Sequence, residues 1–114
     1  MNIIFIVVDS LRTDRLGCYG CNRDLTPNID NLAKKSVLFE KAFSCTNATD
    51  PSLTSIFSGL SLQHSGIINH GPRVTEEELA RVSKVILLPE ILKNTGYTTF
   101  GIDFLGCWHK RGYD

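Results

Sequence analysis

The 114-residue chain lacks an excess of either charge, since its twelve Lys and Arg balance its twelve Asp and Glu. With that balance nothing points to nucleic acid or to an acidic membrane surface as a partner. Long apolar runs are missing as well. The stretch from Asn2 to Val8 is far shorter than the ~20 residues of a membrane span, has no basic lead and runs straight into Asp9. It reads as neither a signal peptide nor a spanning helix, so the expected location is the cytoplasm, with the four cysteines reduced. Cys18 and Cys21 have C-x-x-C spacing but no second ligand pair, and Cys45 and Cys107 stand apart, which argues against zinc. The sequon Asn47-Ala48-Thr49 carries no weight without secretion. Internal repeats and low-complexity segments are absent.

What is present alternates between strand-like and helix-like patterns. Asn2 to Asp9 is a β-branched and aromatic run of the kind that forms a parallel strand buried on both faces. Thr26-Pro27 opens a helix with Ile29, Leu32 and Ala33 on one face, and Val37 to Phe43 reads as a second strand. Leu53, Ile56 and Phe57 recur at helical spacing after Pro51, with Gly59 placed to close that helix. Thr75 and Glu78 form a capping box. Leu88, Ile91 and Leu92 line a helix ended by Gly96, and Tyr97 to Phe104 reads as a third strand. The glycine-containing stretch from Ser61 to Val74 is expected to be a mobile loop at the edge of a site.

Two positions carry candidate chemistry. Asp9 lies at the C-terminal end of the first strand, where open α/β sheets gather ligands, and it suits either a divalent cation or the turn into Ser10. Thr49 precedes a helix start, where unpaired N–H groups and the helix dipole favour an anion. Its hydroxyl is either a helix cap or, once activated, a nucleophile. His109 and Lys110 either reach an anion or, as the preferred reading, sit in a solvated loop, while His64 is a weak site candidate and His70 a weaker one.

Five segments in order resemble the N-terminal part of a sulfatase: Asn2 to Asp9, Leu16 to Gly20, Thr26 to Ala33, Thr49 to Gly59, and Leu88 through Tyr97. The resemblance covers nearly the whole chain. It implies an α/β fold of the alkaline phosphatase superfamily, with a mostly parallel central sheet flanked by helices, of which residues 1–114 are a partial N-terminal domain holding half of the site. It further implies Asp9 as a metal ligand, Thr49 as nucleophile and second ligand, one divalent ion (Ca²⁺, Mg²⁺ or Mn²⁺), and a small anionic sulfate or phosphate ester as substrate. Neither nucleic acid nor membrane is an expected partner.

The departures from that pattern narrow the chemistry. Sulfatases usually follow the strand with two aspartates, whereas this chain reads Asp9-Ser10. Their Cys or Ser, matured to formylglycine, and the Arg of the same motif are replaced by Thr49 and Leu53, so no formylglycine is expected. The Gly-Lys-x-His pattern meets Gly101-Ile102-Asp103-Phe104, without the lysine. Branches of the superfamily with an unmodified threonine are more similar, which implies direct attack by the hydroxyl. The expected activity is sulfate-ester hydrolysis. The alternatives are a phosphodiester or phosphonate hydrolase, a phosphotransferase, and a non-catalytic sulfatase-like domain that binds an anion or a partner. A small doubly wound domain with Asp9 as phosphoacceptor is poorly matched by Asp14 and Lys84. The family fold needs several times this length, so the chain is expected to be an N-terminal fragment, inactive alone.

Overall fold

A computed structural model of the chain describes residues 1–102 and 107–114. These form two compact units, Met1–Phe43 and Ser44–Asp114.

In the first unit, Pro27–Ala33 is helix α1. A tight 3₁₀ turn, Gly17–Tyr19, docks on its N-terminal end. The Thr26 hydroxyl accepts the Gly17 N–H at 3.1 Å, and Asp30 Oδ1 accepts the Cys18 N–H at 2.7 Å. Only glycine fits at position 17, because a Cβ there would lie 2.2 Å from the Asp30 carboxylate. Leu16 is buried behind this turn, and the Tyr19 hydroxyl donates to the Phe39 carbonyl at 2.7 Å.

The second unit carries α2 (Thr49–Ser58), α3 (Leu62–Ser65), α4 (Glu76–Val82) and α5 (Leu88–Asn94). Gly59 closes α2 with φ of +69°, its N–H bonded to the Ser55 carbonyl at 2.8 Å. The capping box of α4 is formed as its sequence predicts: Glu78 N–H donates to the Thr75 hydroxyl, and the Thr75 N–H donates back to Glu78 at 2.8 Å. Among the described residues Ile67, Val82 and Leu87 are fully buried hydrophobic side chains, each contributing about 2 kcal/mol by leaving water.

The closing segment 107–114 staples these helices. Trp108 Nε1 donates to the Thr54 hydroxyl on α2 at 2.9 Å. The Arg111 guanidinium caps α4, donating to the Ser83 carbonyl at 2.9 Å and the Val85 carbonyl at 2.5 Å. Gly112, at φ of +87°, lies so close to α5 that a Cβ would come within 2.4 Å of the Glu90 nitrogen. Asp114 accepts the Thr99 N–H at 2.7 Å, and Lys93, 2.6 Å away, together with that N–H holds its carboxyl down at about 2.

Several sequence expectations are corrected. Among the described residues no strand forms over 2–9, 37–43 or 97–102, and Asp103 and Phe104, the end of the third expected strand, lie outside the described residues. A strand exists only when a neighbour completes its ladder, and these segments keep their apolar side chains open to solvent, Ile4 at 86% and Phe43 at 89%. A doubly wound sheet is equally absent among the described residues. The 61–74 stretch is not a loose loop: it contains α3, buries Ser65 to Ile67, and is tied to α4 by Glu78, which accepts the Ile68 and Asn69 N–H groups at 2.8 and 2.9 Å. No described helix is long and apolar enough to cross a membrane.

Candidate functional site

Thr49 is the first residue of α2, half-buried, with Ala48 rather than a side-chain acceptor at the cap position. The start of this helix is less open to an anion than the sequence implies. Pro51 has no N–H, the Ser52 N–H bonds the Ala48 carbonyl at 3.1 Å, and the Asp50 N–H faces His70 Nδ1 at 3.3 Å. The negative charge at this terminus is supplied from within. Asp50 is only 2% exposed, and its Oδ2 accepts the Gly71 N–H at 2.7 Å and lies 2.9 Å from His70 Nδ1.

One ring nitrogen cannot both donate to Oδ2 and accept from the Asp50 N–H. The shorter contact to a buried carboxylate decides for a proton on Nδ1, because the carboxylate can only accept. Asp50 Oδ1 is buried without a hydrogen-bond partner, so the carboxylate is satisfied on one oxygen alone.

Behind Asp50 the inward face of α2 is polar. Thr54, fully buried, donates to the Asp50 carbonyl at 2.7 Å and accepts from Trp108 Nε1. Its remaining lone pair faces His109 Nε2 at 3.3 Å, which puts the His109 proton on Nε2. His109 is therefore no solvated loop residue: it is 3% exposed and packs on Trp108 and Phe57, with ring centroids 4.8 and 6.2 Å away. Lys110 is exposed. His64 makes only a local contact, 2.7 Å to the Ser61 hydroxyl. Of the three histidines, His70 is the one held against Asp50, the residue that follows Thr49 in the chain. The signal for it was Asp50 in a motif position that needs no carboxylate, twenty residues away from its partner.

Asp9 lies in the first unit, exposed, in a turn with Ser10 at φ of +58°. Thr49 belongs to the second unit. Among the described residues no group of three His, Cys, Asp or Glu side chains is gathered as a metal cluster. Cys18 and Cys21 are free and half-buried, and burial, reinforced by the Asp30 carboxylate, pushes the Cys18 thiol up, away from a reactive thiolate.

The family model described as Sulfatase matches residues 1–114. The chain is 34% identical over 104 residues to the mouse iduronate 2-sulfatase, covering 90% of this chain and 18% of that protein. It is 32% identical over 108 residues to an N-acetylgalactosamine-6-O-sulfatase of Bacteroides thetaiotaomicron, covering 95% of this chain and 20% of that protein. An N-acetylglucosamine-6-O-sulfatase of the same bacterium is 27% identical over 117 residues, covering 99% and 19% respectively. No solved structure matches. The chain spans about a fifth of the length of the curated relatives it matches. A family match over every residue, joined by relatives matched along nearly the whole chain, places this protein in the sulfatase family.

Proposed function

We propose that residues 1–114 form the N-terminal part of a sulfatase-like hydrolase that cleaves sulfate esters, with Thr49 as nucleophile. The observation that carries this reading is the position of Thr49: the first residue of α2, within the family match, beside a buried carboxylate and its anchored histidine. In the proposed reaction the Thr49 hydroxyl oxygen bonds to the ester sulfur as the bond from sulfur to the alcohol oxygen breaks. The hydroxyl proton ends on the departing alcohol. Water then cleaves the threonyl sulfate, releasing sulfate and restoring the hydroxyl. No formylglycine takes part, because threonine has no route to it.

Sulfatases as a family use a divalent metal ion, which supplies charge neutralisation and activation of the nucleophile when bound. Asp9 and Thr49 are proposed as two of its oxygen donors, the right chemistry for Ca²⁺, Mg²⁺ or Mn²⁺. Such an ion takes six or more oxygens, and no three-residue cluster exists among the described residues, so the donors of this chain do not by themselves fit it and no step is routed through it. Phosphodiester or phosphonate hydrolysis is the second reading. Thr49 and Leu53, in place of the usual nucleophile and arginine, favour it.

The test is turnover of p-nitrophenyl sulfate, bis-p-nitrophenyl phosphate and a phenylphosphonate ester by a full-length protein that contains residues 1–114, with Thr49→Ala as the comparison. Loss of sulfate-ester turnover, with stability changed by no more than about 1 kcal/mol, is expected. Undiminished turnover in the variant removes Thr49 from the nucleophile role. Preference for either phosphorus ester selects the second reading, and silence toward all three substrates selects the non-catalytic domain.

A further inference from the structure

The chain exposes more surface than folded units of its size require. Its accessible surface is 8792 Å². A folded monomer of 12.7 kDa exposes about 6,200 Å², and folded bodies of the sizes of Met1–Phe43 and Ser44–Asp114, each taken separately, expose about 7,400 Å² together. The excess over the larger figure is about 1,400 Å². One side of an obligate interface buries that much, since the two sides together cover roughly 2,000–5,000 Å².

Within the first unit the open surface has a pattern. Along 2–8 exposure alternates with the period of an extended chain: Ile4 and Ile6 are 86% and 78% exposed, whereas Ile3 and Val7 are 50% and 45% exposed. One face of the segment is thus half-covered, and the face that carries Ile4 and Ile6 stands open. Residues 2–8 contain no charge and no proline, two of the devices by which strand-like segments resist association. Val37, Phe39 and Phe43 add further exposed apolar side chains in the same unit. An apolar patch of this kind marks an interaction surface.

The occupant that fits this face is a second copy of the chain. An uncharged row has nothing in it to repel its twin, and twelve positive against twelve negative side chains let two copies meet without net repulsion. A face that packs on its own counterpart about a two-fold axis makes an isologous contact, which closes at two copies and leaves no open face to continue a polymer. The excess surface supplies the area such a dimer needs.

We propose that the open face of residues 2–8, with Ile4 and Ile6 at its centre, is a docking surface for a second copy of this chain, packed face to face on the same residues of that copy. The proposal is independent of the reading of Thr49, and its test requires no turnover.

Sedimentation equilibrium of the 114-residue chain over a concentration series measures the association. The expected result is a saturable monomer–dimer equilibrium whose mass levels off at twice 12.7 kDa. Ile4→Lys is expected to weaken the dimer at least tenfold with unchanged circular dichroism, because its side chain is open to solvent in the single copy. Where the lysine disturbs the fold, the double variant Ile4→Ser with Ile6→Ser removes the apolar face without adding charge and decides in its place. Phe100→Lys, at an equally open apolar position in the second unit, is the control and is expected to leave the dimer intact. A chain that stays monomeric at every concentration overturns the proposal. So does association that grows past the dimer without levelling off, or a Phe100→Lys variant that dissociates as readily as Ile4→Lys, since either is general stickiness. A longer protein containing residues 1–114 that is monomeric and loses stability on Ile4→Lys overturns it as well, because the face is then covered from within one chain.

Discussion

Replacing Glu78 by Gln tests what holds the second unit together. Glu78 is 5% exposed, and its two oxygens accept five hydrogen bonds: from the Ile68 and Asn69 N–H groups, the Asn69 amide, and the Thr75 N–H and hydroxyl, at 2.8 to 3.1 Å. Burial by itself pushes the carboxyl up, but the Thr75, Ile68 and Asn69 backbone donors and the Asn69 amide outweigh it and bring it down to about 2 from an ordinary value of 4.5. Gln keeps the shape but turns an NH₂ toward N–H donors that need an acceptor. The lost charge-assisted bonds amount to about 2 kcal/mol at neutral pH, or on the order of 1 M in a urea midpoint for a chain of this size. The pH dependence gives the sharper test. The folded-state value lies below the unfolded one, so the contribution is complete above pH 4.5 and lost as pH falls from there toward 2. Urea unfolding of both proteins from pH 7 to pH 2 is therefore expected to show a stability gap that closes through this window. Asp114, also held at about 2, titrates equally in both and cancels in the difference. A gap independent of pH, or none at pH 7, refutes the assignment of Glu78 as the charged clasp between α4 and the 68–69 segment.

Two further substitutions probe the staple formed by the closing segment. Gly112→Ala adds a Cβ at positive φ and within 2.4 Å of the Glu90 backbone nitrogen, and is expected to cost about 2 kcal/mol or more, read as a lowered thermal midpoint; an unchanged midpoint contradicts the close approach to α5. Thr54→Val keeps the volume but strands the Trp108 indole N–H, with an expected loss of about 2 kcal/mol and a changed emission spectrum from the sole tryptophan. Identical emission in that variant places Trp108 elsewhere.

Features set within a few residues were legible before folding. The Thr75–Glu78 capping box, the start of α1 at Thr26-Pro27 and the close of α2 at Gly59 all appear where the pattern puts them, because both partners of each interaction lie within one or two turns. The Thr49 and Asp9 proposals also come from local pattern. The inward face of α2 was not legible. Leu53, Ile56 and Phe57 recur at helical spacing, yet Ile56 is 46% exposed and the buried positions of α2 are Asp50, Pro51 and Thr54. Their polar atoms are affordable inside because His70, Gly71 and Trp108 arrive from distant parts of the chain to bond them. The same distance hid the contact of His70 with Asp50 and the burial of His109.

Sequence alone therefore determined the start of α1, the close of α2, the capping box of α4, the zero net charge and the family, all of which rest on short-range order or on residue identity. Tertiary structure alone decided which polar groups lie inside, which histidine stands beside Thr49, and whether the apolar segments 2–8 and 37–43 become strands. A strand is a property of a paired ladder and not of its own residues, and a buried carboxylate is stable only where remote donors meet it.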